Sequence, residues 1–279
     1  MNKDQYHHLL RSEFGYLTPP GQSVSRNYFP GWLNFIYYLR LISTLTHASM
    51  VGRRGNLDDE KWAWFSHRII QIVESVGGKV NISGLEPLSR QPGPLVYIAN
   101  HMSLLETLIL PGIALAFNRI TFVIKEELRH YPVFKHIMIA LKLIAVSRQN
   151  PRDDFKVVMR ECSKFISNGG SVIIFPQATR SVEFDVEGFN TLGVKLASRN
   201  GVPVVPVAIK TDFQHNGQWI KDMGPIDPLK TLYFKFGEPV DVVGNGRQTH
   251  QHVIEFIVQN LLDWGGRIKQ NSASGLSEL

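Results

Sequence analysis

The chain is poor in cysteine, in long uninterrupted apolar runs and in the glycine- or histidine-built signatures that mark many enzyme classes. Cys162 is the single cysteine among 279 residues, which excludes an intrachain disulfide and a cysteine metal cluster. It stands in VVMRECSKFI, a helical pattern, where a half-buried structural thiol is expected. No GxxxxGK[ST], HExxH or GxSxG is present, and no GxGxxG follows a strand pattern. The machinery of nucleotide kinases, zinc proteases, serine hydrolases and dinucleotide enzymes is therefore missing. Residues 1–16, MNKDQYHHLLRSEFGY, lack the apolar centre of a secretory signal, so no such signal and a reducing, cytoplasm-facing location are expected.

The residues that are present describe a globular protein with an anionic partner. Hydrophobic residues make up 43% and charged residues 19%, enough to bury a sizeable core, and the formal net charge is +6. That charge suits nucleic acid, an anionic membrane or a phosphorylated substrate, and does not separate them. The basic residues are not interleaved with aromatics in a nucleic-acid module, so no nucleic-acid partner is expected. One aromatic-rich stretch, Tyr28–Val51, suggests a membrane. A spanning helix needs about 20 predominantly apolar residues. This stretch is broken by Arg40, carries His47 and several hydroxyls, and runs into Arg53 and Arg54. It suits a helix lying in the membrane interface; an amphipathic helix packed on the main domain is the other reading.

The order of patterns gives the organisation. Residues 1–27 are polar with a Pro-Pro-Gly at 19–21 and read as a loosely ordered arm. Residues 28–78 read as a membrane-associating helical hairpin, its second helix carrying Trp62, Phe65, Ile69, Ile72, Val73 and Val76 at helical spacing. Residues 79–265 alternate buried-strand patterns (95–100, 120–125, 143–148, 171–176, 202–210) with helical ones (103–116, 126–141, 152–168, 188–200). A more exposed strand over 231–240 and a last helix over 249–264 come next, and residues 266–279 read as a flexible tail. The fold class is α/β, a largely parallel central sheet flanked by helices.

Chemistry concentrates where apolar strands stop. His101 and Glu106 stand five apart in IANHMSLLETLIL, as do His8 with Glu13 and His250 with Glu255. Ten histidines and 24 acidic residues make about one such spacing by chance, so context must choose. Only His101 follows a buried strand and opens a helix. Inside one helix an offset of five turns two residues roughly 140° apart; at a strand-to-helix turn the acid can reach back to the ring. Asn100 or Ser103 is available to cap the helix. The carboxylate would hold one imidazole nitrogen protonated and leave the other as a general base, with the nucleophile a substrate hydroxyl.

The second cluster is VIIFPQATRS, residues 172–181, which delivers Thr179, Arg180 and Ser181 past a strand end. Lys125 ends ITFVIK and Arg148 ends LIAVSR. In a parallel sheet those ends share one edge, the usual place for ligands. Each alone reads as a solvated charge; as a set beside His101 they suit a phosphate group.

Taken in order, these stretches resemble four blocks of the glycerolipid acyltransferase family: NHMSLLE its NHxSxxD block, FVIKEELRHYPVF its KxEL block, FPQATRS its FPEGTRS block and VPVVPVAIK its last block. The likeness spans about residues 80–210. It implies a His101/Glu106 dyad that deprotonates the hydroxyl of a lysophosphatidic-acid-like membrane lipid, which then attacks the thioester of acyl-CoA or acyl-carrier protein. It also implies that Lys125, Arg148, Gln177, Thr179, Arg180 and Ser181 bind substrate, that no metal or other cofactor takes part, and that the chain works on the cytoplasmic face of a membrane. Other acceptors, such as a lysophospholipid, lyso-ornithine lipid or glycolipid, and a non-catalytic lipid-binding role are the alternatives. The chain departs from the blocks at Glu106 for aspartate, Gln177 for glutamate and Ala178 for glycine, and Lys135 stands where a small residue is common.

Overall fold

The computed structural model describes residues 2–21, 30–177, 179–215, 217 and 222–269. It begins with α1 (Lys3–Ser12), the short strand β1 (Tyr16–Leu17), α2 (Pro30–Arg53) and α3 (Asp59–Ser75). Next are β2 (Lys79–Ser83), α4 (Glu86–Arg90), β3 (Val96–Ala99), α5 (Leu105–Ala114) and β4 (Ile120–Lys125). A 3₁₀ turn over Glu126–His130 leads into α6 (Pro132–Ala140), β5 (Ile144–Val146), α7 (Pro151–Ser167) and β6 (Ser171–Ile174). Then come β7 (Glu183–Phe184), α8 (Leu192–Asn200), β8 (Val204–Lys210), β9 (Thr231–Phe236), α9 (Arg247–Asp263) and β10 (Arg267–Ile268).

Eight strands form one sheet in the order β1-β2-β9-β8-β3-β6-β4-β5, while β7 and β10 pair separately. Pairing is parallel except for β1 with β2 and β8 with β9. The central strands read as unbroken apolar runs because both their faces are covered. Tyr97, Ala99, Ile173, Val205, Val207 and Ile209 point into one core, filled by α1, α2, α3, α5 and α6. Val96, Ile98, Val172, Ile174, Val204 and Ala208 point into the other, filled by α7, α8 and α9. The strand expected over 231–240 is β9, and it lies inside the sheet between β2 and β8. It alternates because Leu232, Phe234 and Phe236 are buried, whereas Tyr233 on the other face stacks on Trp264 at 4.8 Å.

The arm expected to be loosely ordered is, over its described part, a helix and a strand. Asn2 and Gln5 form a reciprocal capping box, which satisfies two orphan N–H groups of the first turn. Tyr6 and Leu10, one helical turn apart, are fully buried. β1 then pairs with β2. Local polarity concealed two anchors spaced four apart. Residues 22–27 lie outside the described residues, as do 270–279 of the expected tail; the described part of that tail includes β10.

α1 also buries a titratable ring. Tyr6 stacks on His67 of α3 at 4.5 Å and 15°, and burial pushes the His67 imidazole down to about 4. The unfolded chain therefore takes up the proton first, so this contribution is complete above the ordinary value near 6.5 and is lost as pH falls toward 4. The shift corresponds to about 3 kcal/mol. Thermal unfolding monitored between neutral pH and mildly acid pH should show this loss, and His67→Gln should flatten it. An unchanged slope in the variant would assign acid lability to other groups.

The two helices expected over 28–78 are α2 and α3, which pack together. Asp58 caps α3 by accepting from the Lys61 N–H at 2.8 Å, and α3 buries Trp62, Phe65, Ile69, Ile70, Ile72 and Val73. Among its described side chains, α2 buries Tyr37, Leu41, Ala48 and Ser49 and leaves Trp32, Phe35, Leu39, Ile42 and Met50 exposed. Among the described residues no helix is long and apolar enough to cross a membrane. The C-terminal half of α2 closes onto α6. The Ser49 hydroxyl donates to the Pro132 carbonyl at 3.2 Å. A side chain at Gly52 would stand 2.7 Å from the His136 carbonyl oxygen, so only glycine permits that approach.

Candidate active site

β3 ends at Ala99, and the residue after it ties the strand to its neighbour. Asn100 is buried and bonds the Ile209 backbone twice, donating to its carbonyl at 2.7 Å and accepting from its N–H at 2.8 Å. Asn100 thus pins β3 to β8 and does not cap the helix, one of the two capping roles expected. Residues 101–104 turn away, and α5 starts at Leu105, whose N–H donates to Ser103 Oγ at 3.1 Å. His101 therefore lies outside the helix and Glu106 in its first turn. The His101 Nδ1 and Glu106 Oε1 atoms are 2.9 Å apart.

Glu106 is fully buried, and its carboxylate is solvated by the protein. Oε1 also accepts from the N–H groups of Met102 and Ser103, the latter at 2.6 Å. Oε2 accepts from the Thr211 hydroxyl at 2.6 Å, with Ser103 Oγ at 2.9 Å. Burial opposes ionisation, but the bonds from His101, Thr211 and the backbone outweigh it and hold the carboxyl below its ordinary value. An ionised Glu106 requires the proton on His101 Nδ1, which leaves Nε2 as the acceptor. The imidazole is stacked on Phe175 at 4.6 Å and its side chain is 15% exposed. A base oriented by a buried anion and reachable from outside is the result.

The peptide of His101 is clamped on both sides by the chain leaving β6. The Gln177 side-chain amide oxygen, Oε1, accepts from the His101 N–H at 2.8 Å, and the Ser181 N–H donates to the His101 carbonyl at 3.0 Å. Ala178 lies outside the described residues, and Thr179 is exposed. Arg180 pairs with Asp222. Lys125 pairs with Glu127 at 2.5 Å. Strands β3, β6, β4 and β5 are neighbours and parallel, so their C-terminal ends share one edge. The β4 end stands about 10 Å and the β5 end about 15 Å from β3 at ordinary strand spacing. His101, Glu106, Gln177 and Ser181 are thus in direct contact, Arg180 is anchored beside them, and Lys125 and Arg148 lie farther along the same edge.

Residues 79–210 match the family model described as Acyltransferase. The chain is 29% identical over 188 residues to a 1-acyl-sn-glycerol-3-phosphate acyltransferase of Pseudomonas aeruginosa, covering 67% of this chain and 68% of that one. It is 30% identical over 149 residues to a chloroplastic 1-acyl-sn-glycerol-3-phosphate acyltransferase of Arabidopsis thaliana, covering 52% of this chain and 41% of that one. The chain thus spans about two fifths of the plant relative. The crystal structure of the 1-acyl-sn-glycerophosphate acyltransferase PlsC from Thermotoga maritima shares the fold, with a TM-score of 0.61 at 22% identity, covering 86% of this chain and 98% of that one.

Within the site, the residue not legible in the sequence is Thr211. It comes directly after the buried run of β8, the same strand-end signal that selected His101, Lys125, Arg148 and Arg180, but it is uncharged. Beside it, Asp212 bridges Lys210 and Lys230, both at 2.8 Å. That bridge fixes the chain on both sides of Thr211. Glu106 stands where an aspartate is usual, and its added methylene lets one carboxylate meet the turn, the imidazole and the neighbouring strand together.

Proposed function

We propose that the chain transfers a fatty acyl group from a thioester, acyl-CoA or acyl-carrier protein, to the free hydroxyl of a lysophosphatidic-acid-like lipid. The observation that carries the proposal is the His101 imidazole held by a buried anion, with a clamped peptide on each side, at the edge where three cationic strand ends arrive. His101 Nε2 removes the hydroxyl proton as the oxygen attacks the thioester carbonyl. The C–O bond forms, the C–S bond breaks, and the imidazolium returns its proton to the departing thiolate. Glu106 stabilises the imidazolium. Such base catalysis contributes about 10²–10⁴-fold, and holding the two reactants together supplies much of the remainder.

The acceptor phosphate is assigned to Arg180, with Lys125 and Arg148 farther along the edge and Thr179 and Ser181 as hydroxyl donors. Asp222 and Glu127 hold Arg180 and Lys125 in place until the phosphate takes over. Gln177 acts on substrate through the His101 peptide. The exposed stripe Trp32, Phe35, Leu39, Ile42 and Met50, spaced three, four, three and eight residues along α2, enters the membrane interface from the cytoplasmic side. It brings the site to its lipid substrate.

The test is thiol release over a panel of lysolipids with both donor types. Lysophosphatidic acid should be the preferred acceptor. Arg180→Ala should raise its KM by about tenfold to hundredfold, the range for a lost charge-assisted hydrogen bond, with a smaller effect on phosphodiester acceptors. Equal use of mono- and diesters by the wild-type protein would transfer the proposal to another lysolipid. Binding of lysolipid without thiol release from any donor would make the chain a lipid-binding relative.

A further inference from the structure

The segment between β4 and β5 does more than join two strands. Its 3₁₀ turn and α6 border a cleft of about 550 Å³ lined by Arg129, His130, Lys135, Met138, Ile139 and Lys142. Among the described residues no carboxylate pairs with Arg129, Lys135 or Lys142; Glu127, in the same turn, is taken by Lys125. Three unpaired cations around one cleft is an arrangement that like-charge repulsion opposes.

Two of the cations stand where helix physics disfavours them. Lys135 is in the first turn of α6, which opens at Pro132, facing the positive end of the helix dipole. Lys142 has φ of 51° at the left-handed position that ends α6. There its N–H bonds the Ile139 carbonyl at 3.2 Å and the Leu143 N–H bonds the Met138 carbonyl at 3.1 Å. Glycine usually takes that position. A cation near the end of a helix suits the dipole, but the dipole does not account for the strained backbone. Strain of this kind points from an outlier to function.

The remaining lining identifies the ligand chemistry. Met138 is buried and Ile139 is 56% exposed, so apolar surface continues beside the cationic wall. α6 lies against the C-terminal half of α2, through Ser49 and Gly52, and α2 carries the exposed apolar stripe. We propose that this cleft binds the phosphate headgroup of an anionic phospholipid in the membrane. It is separate from the acceptor site at the strand ends, and it gives the protein a preference for anionic membrane. The inference rests on the reading of the chain as a membrane-surface protein. An acidic protein partner would use the cations but has no need of the exposed Ile139 among them.

The experiment is sedimentation of the full chain with vesicles of phosphatidylcholine alone and of phosphatidylcholine mixed with phosphatidylglycerol. It compares the wild type with Lys135→Ala/Lys142→Gly. Each cation near an anionic surface is worth about fivefold, so the double variant should bind mixed vesicles roughly 25-fold more weakly. Binding to phosphatidylcholine alone should not change. The melting temperature should hold or rise, because glycine relieves the left-handed backbone, so damage to the fold and loss of the site move in opposite directions. Unchanged affinity for mixed vesicles, or an equal loss on both vesicle types, would overturn the proposal. So would loss of transfer from acyl-carrier protein to a short-chain acceptor without vesicles, since that would make the cleft a carrier-docking site. Vesicle binding is read without turnover, so a failure of the acyl-transfer reading would appear separately as absent thiol release.

Discussion

His101→Ala is expected to lower acyl transfer by at least about 10³-fold, within the range of a lost general base, while the protein stays folded. The two bonds that clamp residue 101 come from its backbone N–H and carbonyl, and alanine keeps both. Glu106 loses one of its donors but retains the Met102 and Ser103 N–H groups and the Thr211 hydroxyl, so the buried charge remains solvated. Thiol release measured together with the melting temperature separates chemistry from folding. His8→Ala and His250→Ala serve as controls and should stay near wild type. His8 lies in α1, whose C-cap is Glu13, and His250 shares α9 with Glu255, so in each pair the acid is turned away from the ring. Loss of activity in either control, with transfer surviving in His101→Ala, would show that the wrong pair carries the reaction.

The second large effect belongs to the acid. Glu106→Gln should reduce kcat by about 10²–10⁴-fold, with little change in the KM for acceptor. The amide oxygen can still accept from Nδ1–H and from the two backbone N–H groups, and the hydroxyls of Ser103 and Thr211 can rotate to accept from the new NH₂. The loss is the negative charge opposite an imidazole that becomes positive during the reaction. Glu106→Asp should fall between the two, because the shorter chain cannot serve both the turn and Thr211. A Glu106→Gln protein with wild-type kcat would show that the carboxylate only props the turn. Falling pH tests the same charge: the carboxyl is held below its ordinary value, so its stabilising contribution is complete above about 4.5 and is lost as pH falls through the lower folded value.

The parts of the fold that were legible share a physical cause. β3, β6 and β8 are covered on both faces and read as continuous apolar runs. β2 was missed because Lys79, Asn81 and Ser83 occupy its less buried face, leaving Val80 and Ile82 as its only apolar residues. α1 was missed because a capping box and two buried residues spaced four apart are a weak signal within a polar stretch. In the site, His101 and Glu106 were legible because both lie within one strand-to-helix junction. The Gln177 and Thr211 contacts were not, because they join segments 76 and 105 residues apart, and only the folded sheet brings them together. Gln177, which the likeness to the FPEGTRS block put among the substrate-binding residues, gives its side-chain amide oxygen to the His101 backbone N–H, a contact that no local pattern signals.

The clamp around His101 has a consequence for where on an acceptor the reaction falls. The loop that carries Arg180 also holds both ends of the peptide bearing the base. In the proposed reaction, phosphate grip and proton acceptor are then tied together by the bonds from Gln177 and Ser181 to the His101 backbone. A tie of that kind works as a gauge: it presents to Nε2 only the hydroxyl lying a particular number of bonds from the phosphorus. Positional selectivity on the glycerol would then be altered by changing the length of residues 177–181, with the dyad itself left as it is.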